Sequence, residues 1–412
     1  MKGFFAVGQQ APKQFVGSVP LCGACGLLKT CKSPKMPVTG SGRRKLLIVG
    51  EVPGATEDSE GKQFVGKSGK LLEHTLRNLG VRMWRDCWLT NALSCRPPGN
   101  KIDDDRKIDY CRPLVINAIK ELNPEIIILL GGIAVKSLIA YLWRDSDIGG
   151  IGRWAGWQIP AQQINAWVCP TFHPSYILRE KEPTANIWWN RHLKAALALK
   201  GRPWESPPSY ADQVERLYSP NVAAAELGLI HATGKPVAFD FETNMLKPDS
   251  RQARIVCCSV SNGLRTIAYP WVGRAIEATK RLLMDKHVAK VGANVKFETR
   301  WALARLDCRV RNWFWDTMQA SHILDNRQAI SSLKFQAFVQ FGQPCYDEHI
   351  KPYLEGIGGN GPNRIQDVDQ SDLLLYCGLD ALLEWKLARK QTKQMGFAWP
   401  KSKSQKEASA SV

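Results

Sequence analysis

Two apolar runs constrain this chain more than any other feature. KLLIVG at 45–50 and IIILL at 126–130 are short, continuous and closed at once by glycine-containing turns. Runs of that length without polar alternation fit strands buried on both faces, as in a parallel sheet. Helical spacing lies between them, at Leu71–Leu79 and Arg112–Leu122, with another strand at Cys87–Ala92. A helix from Ala134 to Trp143, a short strand at Val168–Phe172 and a closing helix at Trp188–Leu199 complete the series. The alternation predicts an α/β domain with a largely parallel sheet.

The segment GRPWESPPSY (201–210) has four Pro or Gly in ten residues and reads as a linker. Beyond it, strands at Val237–Phe241, Ile255–Val260 and Arg265–Tyr269 precede helical patterns at Ala275–Met284, Phe297–Arg305, Asp316–Leu324, Ser332–Phe341 and Leu373–Arg389. This second unit also reads as α/β. The chain has 412 residues, more than the roughly 250–300 at which single cores stop growing, so two domains are expected. Their expected bounds are 1–200 and 233–395, joined by a linker and lead-in over 201–232 and followed by a polar, disordered tail over 396–412.

The net charge is +18, which favours nucleic acid as the partner, ahead of an anionic membrane surface. The apolar start is too short for a signal peptide, and 126–142 is too short and too interrupted for a membrane span. A protein without membrane contact is expected, in the cytoplasm of a bacterial cell or phage-infected host. Disulfides are not expected among the twelve cysteines there. Cys22 and Cys25 form a CxxC, and Cys95 and Cys111 each stand beside an Arg and a Pro. Four such thiolates can hold zinc or a four-iron cluster.

The surrounding residues decide between these. Gly50-Glu51-Val52-Pro53-Gly54 with Glu57-Asp58, Gly61-Lys62-Gln63-Phe64-Val65-Gly66, Thr90-Asn91, Cys95-Arg96-Pro97-Pro98-Gly99-Asn100, Cys111, and His173-Pro174-Ser175-Tyr176-Ile177-Leu178-Arg179 occur in one order. Over about residues 20–198 the sequence resembles the family 4 uracil-DNA glycosylases. The resemblance implies a three-layer α/β/α sandwich and a 4Fe-4S cluster on Cys22, Cys25, Cys95 and Cys111, leaving Cys31 spare. An enzyme acting on a base must take it out of the stack and read its edge. Asn91 offers a carboxamide that suits uracil O4 and N3–H, and Phe64 offers a ring to stack on the base. His173 can hydrogen-bond O2 as charge develops there. The backbone of Gly50 lines the pocket, and the resemblance gives Glu51 the water that attacks C1′, with Asp58 as the alternative. Arg179 is expected to contact phosphate or to pack near the cluster. Gln63 and Val52 depart from the family pattern, which has Pro and a smaller residue there.

In the second unit Asp240-Phe241-Glu242 ends an apolar strand, and alternation puts both carboxylates on one face. Asn294-Val295-Lys296-Phe297-Glu298 precedes a helical run, and Tyr376 and Asp380 share a helical face at i, i+4 spacing. With Asp316-Thr317-Met318 and Ser332-Leu333-Lys334, residues 233–392 resemble the proofreading 3′→5′ exonuclease domain of family A DNA polymerases, in the group with four acids and a Tyr. The resemblance implies a ribonuclease H-like fold and two Mg²⁺ or Mn²⁺ held by Asp240, Glu242 and Asp380. Tyr376 would orient the attacking water, with Glu298 standing where the family has Asp. Asn294 would support the strand end. Family A polymerases continue into a polymerase domain, whereas this sequence ends soon after the exonuclease helix. A polymerase on a separate chain, in phage or viral replication or repair, is therefore expected.

The whole reads as a DNA-processing enzyme with a uracil-excising half and a 3′-resecting half. The alternatives are a DNA-binding replication scaffold with silent sites, and an exoribonuclease in the second half.

Overall fold

The computed structural model describes residues 19–144, 148–180, 183–356, 358 and 361–402. The chain divides into two compact units, Met1–Pro208 with Val339–Pro344 and Ser209–Phe338 with Cys345–Val412. Each unit has its own sheet. The start of the chain, read above for a signal peptide, lies outside the described residues, as does 403–412 of the expected tail.

The first sheet contains β1 (Leu46–Gly50), β2 (Cys87–Asn91), β3 (Ile126–Leu130), β4 (Ile159–Ala161) and β5 (Ala166–Thr171), in the order β2-β1-β3-β5-β4. All pairings are parallel except that of the edge strand β4 with β5. Every residue of β1 and β3 is buried, as continuous apolar runs require when helices cover both faces. Leu72 and Leu76 from the helix Lys67–Asn78, and Trp189 and Leu193 from the helix Pro183–Leu197, pack with Ile48 and Ile128 in one core. Each such side chain, fully buried, contributes about 1.5–3 kcal/mol. From β1 the chain passes to β2 on one side and then crosses to β3 on the other. That reversal opens a crevice at the carboxyl ends of the strands. Gly50 pairs with Asn91, and Leu130 with Thr171, so four strand ends align along that edge.

The second sheet runs β11-β10-β7-β8-β9-β6, with β6 Val214–Arg216, β7 Val237–Thr243, β8 Ile255–Ser261, β9 Thr266–Pro270, β10 Lys290–Gly292 and β11 Trp313–Asp316. β7, β8 and β9 form an antiparallel meander, while β10 and β11 continue it in parallel beyond β7. This unit is mixed α/β. The expected lead-in is structured: β6 joins the sheet, and Ala223, Leu227 and Ile230 of the helix Pro220–Ala232 enter the core.

A helix of 25 residues, Gln370–Gln394, crosses one face of this sheet. Asp369 caps its start by accepting from the backbone N–H groups of Ser371 and Asp372. Helix and sheet touch closely: a Cβ at Gly378 would collide with Val214, and Ser259 Oγ donates to the Cys377 carbonyl at 2.7 Å. The expected tail is docked where it begins, because Phe397 packs on Trp315 and Trp399 on Phe314 and Trp385. Those aromatics outweigh the polar composition of the segment. Among the described residues no helix is long and apolar enough to cross a membrane.

Candidate active sites

At the edge of the first sheet, Gly50, Phe64 and Asn91 come together. A Cβ at Gly50 would strike Asn91 Oδ1 and would lie 2.8 Å from Phe64 Cζ, so glycine is what admits both. Phe64 has φ +52, a left-handed backbone that is uncommon for a bulky residue and marks a constrained position. Glu57 holds the turn there, with Oε1 accepting from Gly66 N at 2.7 Å. Gln63, noticed above only as a departure, is fully buried, and its Oε1 accepts from Asn91 Nδ2 while its Nε2 donates to the Pro37 carbonyl. This fixes which way the Asn91 amide faces and leaves its Oδ1 toward Gly50.

Glu51 reaches the start of the helix Gly132–Trp143, where Oε1 accepts from Ile133 N at 3.1 Å. Burial pushes its carboxyl up, against the opposing pull of the Ile133 and Gly132 amides and the Arg179 charge. His173 follows β5 and caps the helix Pro174–Arg179. Its Nδ1 accepts from Ser175 N at 3.2 Å, which leaves the ring proton on Nε2. Burial, with the Arg179 charge, moves its pKa down from 6.5 to about 4, so the ring is neutral at pH 7. Arg179 is exposed, and its charge is felt at both Glu51 and His173. Asp58 is committed elsewhere: Oδ1 accepts from Lys32 N at 3.0 Å and Ser33 N at 2.9 Å.

Cys22, Cys25, Cys95 and Cys111 line one cavity, although they come from two separate stretches of sequence. Lys35 N donates to Cys95 Sγ at 3.2 Å and Ser94 N to Cys111 Sγ at 3.4 Å. Such N–H···S bonds stabilise ligating thiolates. Burial raises the Cys95 thiol to about 12 and the Cys111 thiol to about 11, so these sulfurs need a cation to ionise. Four converging sulfurs with donors aimed at two of them fit a 4Fe-4S cluster. Cys31, left spare above, adjoins Cys95.

In the second unit Asp240, Glu242, Asn294, Glu298, Tyr376 and Asp380 all line one cavity. Phe239 and Phe241 turn into the core from the opposite face of β7. Asn294 has φ +55 at the start of the helix Val295–Leu306. Asp316 fastens that start by accepting from Asn294 N at 3.2 Å and Val295 N at 3.0 Å, while also capping its own helix through Met318 and Gln319. Burial, with the Asp380 charge, moves Asp240 up to about 7. Glu242 and Glu298 are raised by the same causes, burial first and the Asp240 charge second. Asp380 takes Lys334 Nζ on both oxygens and the Tyr346 hydroxyl on one. Lys334 also lies 4.4 Å from the centre of the Tyr376 ring.

One acid escaped the sequence reading. Glu384 is buried one helical turn beyond Asp380; its Oε1 accepts from Ala293 N at 3.2 Å. Burial raises its carboxyl, and then the charges of Asp240, Glu298 and Asp380. Its i, i+4 spacing from Asp380 was visible, but nothing in the sequence says which face of that helix is buried. Glu298 Oε2 and Glu384 Oε2 are both buried without a hydrogen-bond partner. Carboxylates so crowded and so poorly satisfied fit a site for divalent cations.

Two classes of domain are thereby defined, and comparison with known proteins agrees. The Uracil DNA glycosylase superfamily model matches residues 37–197, and the 3′-5′ exonuclease model of family A DNA polymerases matches 217–395. The type-4 uracil-DNA glycosylase of Pyrobaculum aerophilum is 38% identical over 162 residues, 37% of this chain and 82% of that protein. That of Saccharolobus solfataricus is 32% identical over 184 residues, 44% of this chain and 83% of that protein. The chain belongs to the type-4 uracil-DNA glycosylase family and carries a 3′-5′ exonuclease domain as well; it is a hydrolase. A DNA polymerase of Bacillus phage SP01 is 24% identical over 349 residues, 79% of this chain but 38% of that protein.

Proposed function

We propose that the first unit releases uracil from DNA by hydrolysing its N-glycosidic bond. The meeting of Asn91, Phe64 and Gly50 at the carboxyl edge of the sheet carries this reading. Phe64 stacks on the extruded base. Asn91 Oδ1 accepts from N3–H, and the second Nδ2–H donates to O4. His173, neutral and protonated on Nε2, donates to O2 as negative charge collects on the departing base. Glu51 holds the water that attacks C1′; Asp58 is occupied by the amides of Lys32 and Ser33. Arg179, exposed beside this pocket, binds a DNA phosphate. Cys22, Cys25, Cys95 and Cys111 would hold the 4Fe-4S cluster. Bound there, it would tie the short helix Cys22–Cys25 to the helix Arg106–Leu122, which carries Cys111.

The second unit, in this reading, hydrolyses DNA from 3′ ends. Asp240, Glu242 and Asp380 would hold two Mg²⁺ or Mn²⁺, with Glu298 supporting them through water. The bound ions supply positive charge for the attacking and leaving oxygens. Tyr376 orients the attacking water, and Lys334 keeps Asp380 in place until a cation arrives. The alignment with a phage DNA polymerase across most of this chain supports a role in phage DNA replication or repair.

One assay tests both halves. Labelled single- and double-stranded DNA containing uracil is incubated with and without Mg²⁺. We expect base loss without Mg²⁺ and shortening from the 3′ end only with it. Base release that depends on Mg²⁺, or that is unchanged in Asn91→Ala, overturns the pocket assignment.

A further inference from the structure

A thiol lies against the acids of the exonuclease cavity. Cys377 follows Tyr376 on the long helix and is fully buried. Its Sγ lies 3.7 Å from Asp240 Oδ2, and one donor atom each of Asp240, Glu242 and Cys377 all lie within 4.8 Å of one another. An ion about 2.3 Å from a sulfur and about 2.1 Å from a carboxylate oxygen, at a tetrahedral angle, separates the two by about 3.6 Å. The observed 3.7 Å, a thiol-to-carboxylate hydrogen bond in the ion-free protein, is close to that separation. Cys257, a second thiol, is a neighbour outside that group. It pairs with Glu242 across β7 and β8 and hydrogen-bonds to Cys377. A separate observation points to a cation in the same cavity: Glu298 Oε2 is buried there with no partner. Magnesium chemistry has no use for sulfur, because Mg²⁺ takes hard oxygen donors while thiolates select zinc-like ions.

We propose that Asp240, Glu242 and Cys377 form a mixed carboxylate–thiolate site for a thiophilic divalent ion of the zinc class, overlapping the Mg²⁺ position. The proposal rests on the exonuclease reading of this cavity. On binding, the Cys377 S–H bond breaks, its proton passes to solvent, and the sulfur electron pair forms the bond to the ion; nothing is oxidised or reduced. An ion held there uses two of the carboxylates that the exonuclease reading gives to Mg²⁺. The ion therefore takes Asp240 and Glu242 away from Mg²⁺, and digestion of 3′ ends stops while uracil excision continues.

The test uses the full, cluster-loaded chain. Co²⁺ is added and the difference absorbance is followed for a thiolate-to-cobalt charge-transfer band, in the wild type, Cys377→Ser and Asp240→Ala. Calorimetric titrations with Zn²⁺ and with Mg²⁺ accompany it. We expect the band in the wild type alone. We expect the ratio of Zn²⁺ to Mg²⁺ affinity to fall by about 10²-fold in Cys377→Ser, at the upper end of the loss seen for an outer-shell partner. Zn²⁺ should also inhibit Mg²⁺-dependent digestion by the wild type. A wild type without the band, or a band and Zn²⁺ affinity that survive both substitutions, overturns the proposal, and the wild-type arm holds even where a variant does not fold. Mg²⁺-dependent digestion without any thiolate band sinks this proposal only. A wild type that neither binds Mg²⁺ nor digests DNA sinks the exonuclease reading itself.

Discussion

At the edge of the first sheet the polar side chains already have partners: Asn91 on Gln63, His173 on Ser175, Glu51 on Ile133. In the second unit the acids crowd one another, and Glu298 and Glu384 each keep a buried oxygen without a partner. In the proposed reading the pocket is thus preorganised by the chain alone, with neutral donors placed where charge would develop. The exonuclease site is held in a state that only added positive charge relieves. A protein can carry both designs because each rests on its own sheet and core.

The largest expected effect sets the two sites apart. Asp240→Ala should lower 3′-end digestion by about 10³-fold or more, as loss of several kcal/mol of metal-borne stabilisation implies, and leave uracil excision intact. Parallel loss of excision in that variant would show that the sites are not separate.

Next in size, Asn91→Ala and His173→Ala should each lower uracil release by about 10²-fold, the scale for one preorganised donor, and leave digestion alone. Single-turnover rates on one labelled duplex measure both.

Gln63→Ala probes whether the pocket is as fixed as it looks. Without the Gln63 oxygen, Asn91 can turn its amide over and offer Nδ2 to the unprotonated N3 of cytosine. We expect the preference for uracil over cytosine to fall by about tenfold, the worth of one hydrogen bond. An unchanged ratio would mean that Gly50 and Phe64 alone hold the amide.

Glu384→Gln probes the other side of the comparison. It removes one of the crowded charges, so the ion-free protein should melt higher in its second unit, and added Mg²⁺ should raise that melting point by less than in the wild type. A lower melting point without ions would show that Glu384 is a satisfied structural group.

The smallest effect is in pH. Because the His173 pKa is moved down from 6.5 to about 4, excision should show no loss from that group between pH 7 and 5 and should fall only toward pH 4. The sign for stability is the same: the neutral ring is favoured in the fold, so its contribution is complete above 6.5 and is lost as pH falls through about 4. A step in the excision rate near 6.5 would place His173 in open solvent instead.

The long elements were legible because their patterns are long. KLLIVG and IIILL fit central parallel strands, and the i, i+4 spacing of Tyr376 and Asp380 put both on one face of their helix without showing that this face is buried. The strands β4, β6, β10 and β11 were not legible. They have three or four residues each, too few for alternation to show, and they exist because a neighbouring strand offers hydrogen bonds. The residues proposed for the pocket, such as Asn91 and His173, sit in dense motifs and could be singled out from sequence. Gln63 passed for a mere departure, Glu384 for one more helical acid, and Cys377 for the residue between two others.

The sequence by itself determined the two α/β units, the cysteine set and the acids of the second cavity, because periodicity and motif spacing are local properties. Tertiary structure alone decided which neighbours those groups meet. It turned Gln63 onto Asn91, spent Asp58 on the amides of Lys32 and Ser33, and set Cys377 beside Asp240. Each contact joins residues more than twenty positions apart, and the physical reason is burial: a polar side chain cut off from water must take whichever partner the packed core brings to it, and no local pattern names that partner.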